Sequence, residues 1–246
     1  MALPKIKTPL YELTLPSTGK KLNYRPFLVK EQKILLMAVE SKDQDEMVRA
    51  IKQIIVNCVV DEIDVDKLPM FDLEYVFLKL RARSVGENIE LNLRHMHGKN
   101  SDGEECQGST KYNLDLMSIE VEKEEGHDRT IVLDEDSGIG IVLNYPSISL
   151  ADAMNESAGK SQVEVITDLV VKSIDSIFDN NDVYPSSESS REEIANFIND
   201  LTQDQFEKVT NFFSTMPKLK TKIEWVCQSC GKEDSVELEG MASFFG

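Results

Sequence analysis

The 246-residue sequence predicts an α+β protein built from β-hairpins and helices. Two observations carry that expectation. Near both ends of the chain, apolar side chains alternate with polar ones on either side of turn-forming residues, as paired strands with one buried face require. Between those segments apolar residues recur at i, i+3 and i+4, the spacing that gathers them on one side of a helix. A hydrophobic fraction of 41% is enough for a core of ordinary size. No repeat of fixed period divides the chain.

The first hairpin is expected from Tyr11-Glu-Leu-Thr-Leu15 and Lys21-Leu-Asn-Tyr24, joined by the turn residues Pro16-Ser-Thr-Gly19. Residues 1–33 hold seven basic side chains and two acidic ones, a basic patch in an acidic chain. Three helices follow. Ile34, Leu35 and Met37 begin a short one, and Met47, Ile51, Ile54, Ile55 and Cys58 line one face of the second. Phe71, Val76, Phe77 and Leu80 mark the third, which starts after Pro69 and ends before Gly86. Cys58 falls inside the apolar stripe of the second helix and reads as a small core residue.

Ile89, Leu91 and Leu93 alternate along 88–95, and Tyr112, Leu114 and Leu116 mark the return strand of a second hairpin after the polar stretch 98–108. Glu120, Glu122, Glu124, Glu125, Asp128, Asp134, Glu135 and Asp136 crowd around Gly126 and read as a solvated sheet face and loop, with a divalent-cation site as the sharper alternative. His127, among them, reads as a surface residue. Ile131-Val-Leu133 and Ile139-Gly-Ile-Val-Leu143 suggest a further hairpin, closed by Pro146. Val163, Ile166, Val170, Ile174 and Ile177 fit one helix face that stops at Asn180 and Asn181. Ser190 with Glu193, and Thr202 with Gln205, match capping boxes that open two more helices, the second carrying Phe206, Val209, Phe212 and Phe213. Strands at Thr221–Trp225 and Ser235–Leu238 then flank Cys227-Gln-Ser-Cys230-Gly231. The expected organisation is a mixed α/β part over 1–150, a helical insertion over 151–217, and a hairpin over 218–246 that packs back on the 88–117 hairpin.

The cysteines carry the chemistry. Two thiolates three positions apart on a hairpin knuckle can reach one tetrahedral ion, so Cys227 and Cys230 look like half of a zinc ribbon. The 88–117 hairpin offers His95, His97 and Cys106 as the other half. The expected centre is a structural zinc site made by His97, Cys106, Cys227 and Cys230, with His95 as the substitute for His97, clamping a zinc-ribbon-like pair of hairpins together. An uncoordinated or reducible dithiol and a redox-catalytic pair are the other readings. Redox catalysis wants a helix N-terminus after the first cysteine, whereas Gly231 and strand-like sequence follow here.

Composition removes several function classes. Lys and Arg number 27 against 44 Asp and Glu, a net charge of −17 that opposes binding to a polyphosphate, so no nucleic-acid partner is expected. No segment approaches the roughly 20 apolar residues that cross a bilayer, and the opening Met-Ala-Leu-Pro-Lys-Ile-Lys lacks an apolar signal core, so a cytosolic chain with no membrane partner is expected. His-Glu-x-x-His, Gly-x-Ser-x-Gly, a Walker loop and Gly-x-Gly-x-x-Gly are all missing, and no enzyme is expected.

Leu3-Pro-Lys-Ile-Lys-Thr-Pro9, Leu15-Pro-Ser-Thr-Gly-Lys20, Tyr24-Arg-Pro-Phe-Leu-Val-Lys-Glu-Gln-Lys-Ile-Leu-Leu-Met37 and Phe71-Asp-Leu-Glu-Tyr-Val-Phe-Leu-Lys-Leu-Arg-Ala-Arg83 carry a resemblance. With these segments the chain resembles the baseplate proteins of T-even-like contractile-tailed bacteriophages, specifically the baseplate hub assembly proteins. The resemblance covers essentially the whole chain. It implies a noncatalytic role in the host cytoplasm, assisting assembly of the central hub through contacts with hub proteins, or alternatively residence in the finished tail baseplate. It also singles out Arg25, Pro26 and Phe27, and Tyr75, Phe77 and Leu80, for partner or fold roles. A zinc-ribbon adaptor and a thiol oxidoreductase are the competing classes.

Overall fold

The computed structural model describes residues 7–94, 106, 108–150, 161–240 and 243, and the chain forms two compact units. The first comprises residues 1–65, 71–122 and 218–246, and the second residues 66–70 and 123–217. Helices accompany small antiparallel sheets in both, which makes the fold α+β as the sequence predicts.

In the first unit β1 (Tyr11–Thr14) and β2 (Lys21–Tyr24) form the expected hairpin, with Leu13 opposite Leu22 and Tyr11 opposite Tyr24. α1 (Val29–Ser41) begins where the Leu28 N–H donates to the Glu31 carboxylate at 2.8 Å. An acidic side chain in the first turn thereby satisfies a donor that the helix itself leaves unpaired. α2 (Gln44–Cys58) is capped by Asp43, whose carboxylate accepts from the N–H groups of Asp45 and Glu46. Ile51, Ile54, Ile55 and Cys58 on α2 are buried, and burial pushes the Cys58 thiol up to about 11, so this cysteine is a protonated core residue.

α3 (Met70–Val85) is buried on almost every side, the situation of a helix at the centre of its unit. That position also buries two ionisable groups, each with partners. Asp72 accepts from the Ser17 N–H at 3.1 Å and from the Ser17 hydroxyl. Lys79 donates to the carbonyls of Met117 and Ile119 at 2.7 and 2.8 Å and to the Glu120 carboxylate at 3.0 Å. A buried charge is tolerated only when bonded in this way. β3 (Asn88–Arg94) and β4 (Ser109–Asp115) then form the second hairpin, followed by the short β5 (Val121–Glu122).

The second unit is built on a four-stranded antiparallel sheet of order β6-β7-β8-β9, with β6 at Thr130–Asp134, β7 at Ile139–Leu143, β8 at Ile174–Phe178 and β9 at Val183–Pro185. Its helices include α4 (Gln162–Ser173), α5 (Arg191–Asn199) and α6 (Gln203–Ser214). The helical spacing read through Ile177 stops at Ser173. Ile174 turns to extended backbone, and Ile174 and Ser176 are buried on either side of exposed Asp175 as the segment pairs with β7. Isoleucines three apart share a face in a helix but face opposite ways in a strand, and the β-branched side chains here settle on the sheet. The capping boxes at Ser190 and Thr202 form as their sequences require, and a third forms at Ser161 with Glu164. Val170, Ile174, Ile194, Ile198, Val209 and Phe212 close the core against Ile141 and Leu143.

His127 is a correction. It is buried, not on the surface, because its ring stacks on Tyr145 and Phe212 with centroids at 5.7 and 5.0 Å. Its Nδ1 lies 2.8 Å from the Thr215 hydroxyl and its Nε2 3.1 Å from the Tyr145 hydroxyl. The acidic neighbours in sequence gave no sign of aromatic partners so far along the chain. Those acidic residues serve local turns, as where Asp128 accepts from the Thr130 N–H and Asp134 from the Asp136 N–H. Among the described residues they form no convergent cation-binding group.

The chain then returns to the first unit. β10 (Lys218–Val226) pairs on one side with β5 and on the other with β11 (Glu233–Glu239). Leu219, Ile223, Trp225 and Cys227 of the returning hairpin share a core with Leu93, Cys106 and Leu114 of the second hairpin and with Tyr75 and Leu78 of α3.

Candidate metal centre

The Cys227–Cys230 knuckle is a tight turn between β10 and β11. The Cys227 N–H donates to the Lys232 carbonyl at 2.8 Å, the Gly231 N–H donates to the Cys227 carbonyl at 2.8 Å, and Gly231 takes φ +69°, a left-handed conformation that favours glycine. Thr110 on β4 ties this knuckle to the second hairpin, its hydroxyl accepting from the Gln228 N–H at 3.0 Å. That tie brings Cys106, from the segment before β4, to the knuckle. The Cys106 and Cys227 sulfurs are 3.7 Å apart, and the Cys106, Cys227 and Cys230 sulfurs all lie within 4.8 Å of one another. Two thiolates about 2.3 Å from a tetrahedral ion are about 3.8 Å apart, so the spacing suits a shared ion.

Backbone donors point at these sulfurs. The Gly108 N–H donates to the Cys106 sulfur at 3.4 Å. Burial disfavours the Cys227 thiolate, but N–H groups of Cys230 and Ser229 outweigh it and hold the Cys227 thiol below its ordinary value. At Cys106 the Gly108 N–H favours the thiolate, while burial and the two neighbouring sulfurs win and keep that thiol above its ordinary value. A cation held by these sulfurs would have to displace the protons of its thiol ligands. Three soft sulfur donors select thiophilic metals such as zinc over calcium or magnesium. Cys227 is followed by a turn and a strand, with no helix N-terminus to support a redox nucleophile.

The structure therefore brings three of the four expected ligands together. His97 and its substitute His95 lie outside the described residues. Among the residues singled out by resemblance, Arg25 pairs with buried Glu31 at 3.0 Å and donates to the Asn57 carbonyl at 2.8 Å, and the Phe27 N–H donates to the Ser84 hydroxyl at 2.9 Å. Tyr75, Phe77 and Leu80 are buried on α3, and Pro26 is partly buried and accepts from Arg25. Sequence reading missed Gly108 and Thr110, which hold the cluster without ligating anything. Their only signal was position, two and four residues after Cys106.

Fold and site define an α+β protein whose first unit is closed by a candidate three-cysteine metal centre. The chain belongs to the T4 bacteriophage base plate protein family, whose family model matches residues 8–246. No significant match to a curated protein or to a solved structure accompanies it.

Proposed function

We propose that this baseplate protein is a noncatalytic assembly factor for the central hub, acting through contacts with hub proteins in the host cytoplasm. The observation that carries the reading is the family match over residues 8–246. Support for a noncatalytic role comes from the buried ionisable groups, since Glu31, Asp72, Lys79 and His127 are each engaged in bonds that hold the fold. Among the described residues no helix is long and apolar enough to cross a membrane. The second reading, a resident component of the finished baseplate, is favoured by the family's own description as a base plate protein.

In this reading Cys106, Cys227 and Cys230 hold a structural zinc with His97 as fourth ligand, or His95 in its place. The metal would supply cross-linking of two hairpins and no chemistry on a substrate. Tagged protein mixed with lysate of infected cells, with copurifying chains identified by mass spectrometry and finished tails probed for this chain, tests the role. Hub proteins recovered with none of this chain in tails support the assembly factor, and fixed stoichiometry in tails supports the resident component. Metal analysis of fresh, unchelated protein beside Cys227→Ser tests the ion: one zinc per chain, lost in the variant, is expected, and zinc-free protein overturns it.

A further inference from the structure

α1 turns its apolar side chains outward. Within it only Glu31 and Ala38 are buried, whereas Val29 is 67%, Leu36 52% and Met37 70% exposed. Lys33 and Glu40 are exposed on the same outward side, since 29, 33, 36 and 40 recur at helical spacing. Beside this ridge runs a groove of about 420 Å³ between α1 and α2, with Ile34, Ala38 and Ala50 among its lining residues. Small residues at such a place leave room for an apolar side chain from a neighbouring helix.

On its exposed face Lys33 stands in the N-terminal half of α1 and Glu40 in the last turn, ahead of Lys42 at the C-cap. The helix dipole disfavours an acidic group such as Glu40 in a last turn. An antiparallel partner helix inverts that relation, setting Lys33 near the partner's C-terminal end and Glu40 near its N-terminal end.

We propose that α1 is the interface of a homodimer, with two copies packed antiparallel about a two-fold axis between Leu36 and Met37. In this register Lys33 meets the partner's Glu40, and Leu36 meets the partner's Met37. Positions 33 and 40 are equidistant from the same midpoint as 36 and 37, so one register satisfies the charged and the apolar pairs together. A two-fold interface demands this self-complementarity and makes each contact twice. The pairing stands on α1 alone and is independent of the role at the baseplate.

Sedimentation of the full chain across the micromolar range tests it. The native chain should show a concentration-dependent dimer. Lys33→Glu or Glu40→Lys alone turns two attractive pairs into repulsive ones and should weaken the dimer about tenfold or more. An equimolar mixture of the two single variants should restore association, because each then finds its opposite charge, and so should the double variant. As a readout separate from charge, Leu36→Cys sits beside the axis and should cross-link to its own copy on mild oxidation, with the bond located by mass spectrometry. A native chain that stays monomeric, a dimer indifferent to both charge reversals, or no link at position 36 in a folded variant overturns the proposal.

Discussion

Replacing Gly108 by alanine puts a methyl group where the knuckle has left no room. A Cβ at this position would collide with the Ser229 side chain and stand 3.0 Å from the Cys227 sulfur. Gly108 is outside the left-handed region, so the backbone itself accepts alanine. That compatibility should stabilise by about 0.4–1 kcal/mol through a less flexible unfolded chain. Overpacking costs about 1–3 kcal/mol, so against a mid-range gain of about 0.7 kcal/mol a net loss of about 0.3–2.3 kcal/mol is expected. Ser229→Gly removes the atoms the methyl strikes and leaves only the sulfur contact. In Gly108→Ala, Ser229→Gly it should recover at least half of the loss, a coupling of about 1 kcal/mol between the sites. Urea unfolding of the native chain, both single variants and the double variant closes the cycle, with equal m-values required for the comparison. A Gly108→Ala chain as stable as the native one, or a double variant no better than the sum of its parts, would refute the packing argument for this glycine.

Ser190→Ala removes the hydroxyl that caps α5 and should cost about 1 kcal/mol in urea unfolding, while Ser190→Thr keeps the cap and most of the stability. Ile54→Ala on α2 deletes a side chain with no exposure and should cost about 2–5 kcal/mol by the same measurement. Burial, with Lys123, holds the His127 imidazole below its ordinary value, against the opposing pull of Asp128 and Glu124. The unfolded chain then takes up the proton first as pH falls, so stability present above about pH 6.5 declines below it. Unfolding free energies compared at about pH 7.5 and 5.5 should show this loss in the native chain and a smaller one in His127→Phe, which keeps the ring stack; equal losses would exclude His127 as the cause.

What was legible in the sequence is what local chemistry decides. The hairpin at Tyr11–Tyr24, the stripe on α2 and the capping boxes at Ser190 and Thr202 each depend on residues a few positions apart, and each forms. The strand at Ile174–Phe178 was not legible, because Ile174 and Ile177 continue the helical spacing of the segment before them and the decision is made by pairing with β7. His127 was misplaced for the same reason: Phe212 and Thr215, which bury it, are distant in sequence. The meeting of Cys106 with Cys227 and Cys230 could be read from donor type alone, since few side chains gather for a soft ion. The supports at Gly108 and Thr110 could not, since glycine and threonine at a strand entrance have many ordinary uses.

The separation of Cys106 and Cys227 sets how much a cross-link there would contribute. They are 121 residues apart, and the whole of residues 123–217 lies in the loop they would close. Contacts of such range are entropically costly to form and slow to find. Leu219, Ile223 and Trp225 of β10 join the core of the first unit across similar separations in sequence. Without them Leu93, Leu114 and the adjoining face of α3 would lose part of their cover. A link that closes a loop of this length restricts the unfolded chain by about 4–5 kcal/mol in the loop-entropy account of disulfides. A metal bound by the same sulfurs acts in the same direction, because it binds only where the hairpins have already met. The cluster therefore sits at a long-range contact of the fold, where a fastening would restrict the unfolded chain far more than it would between near neighbours.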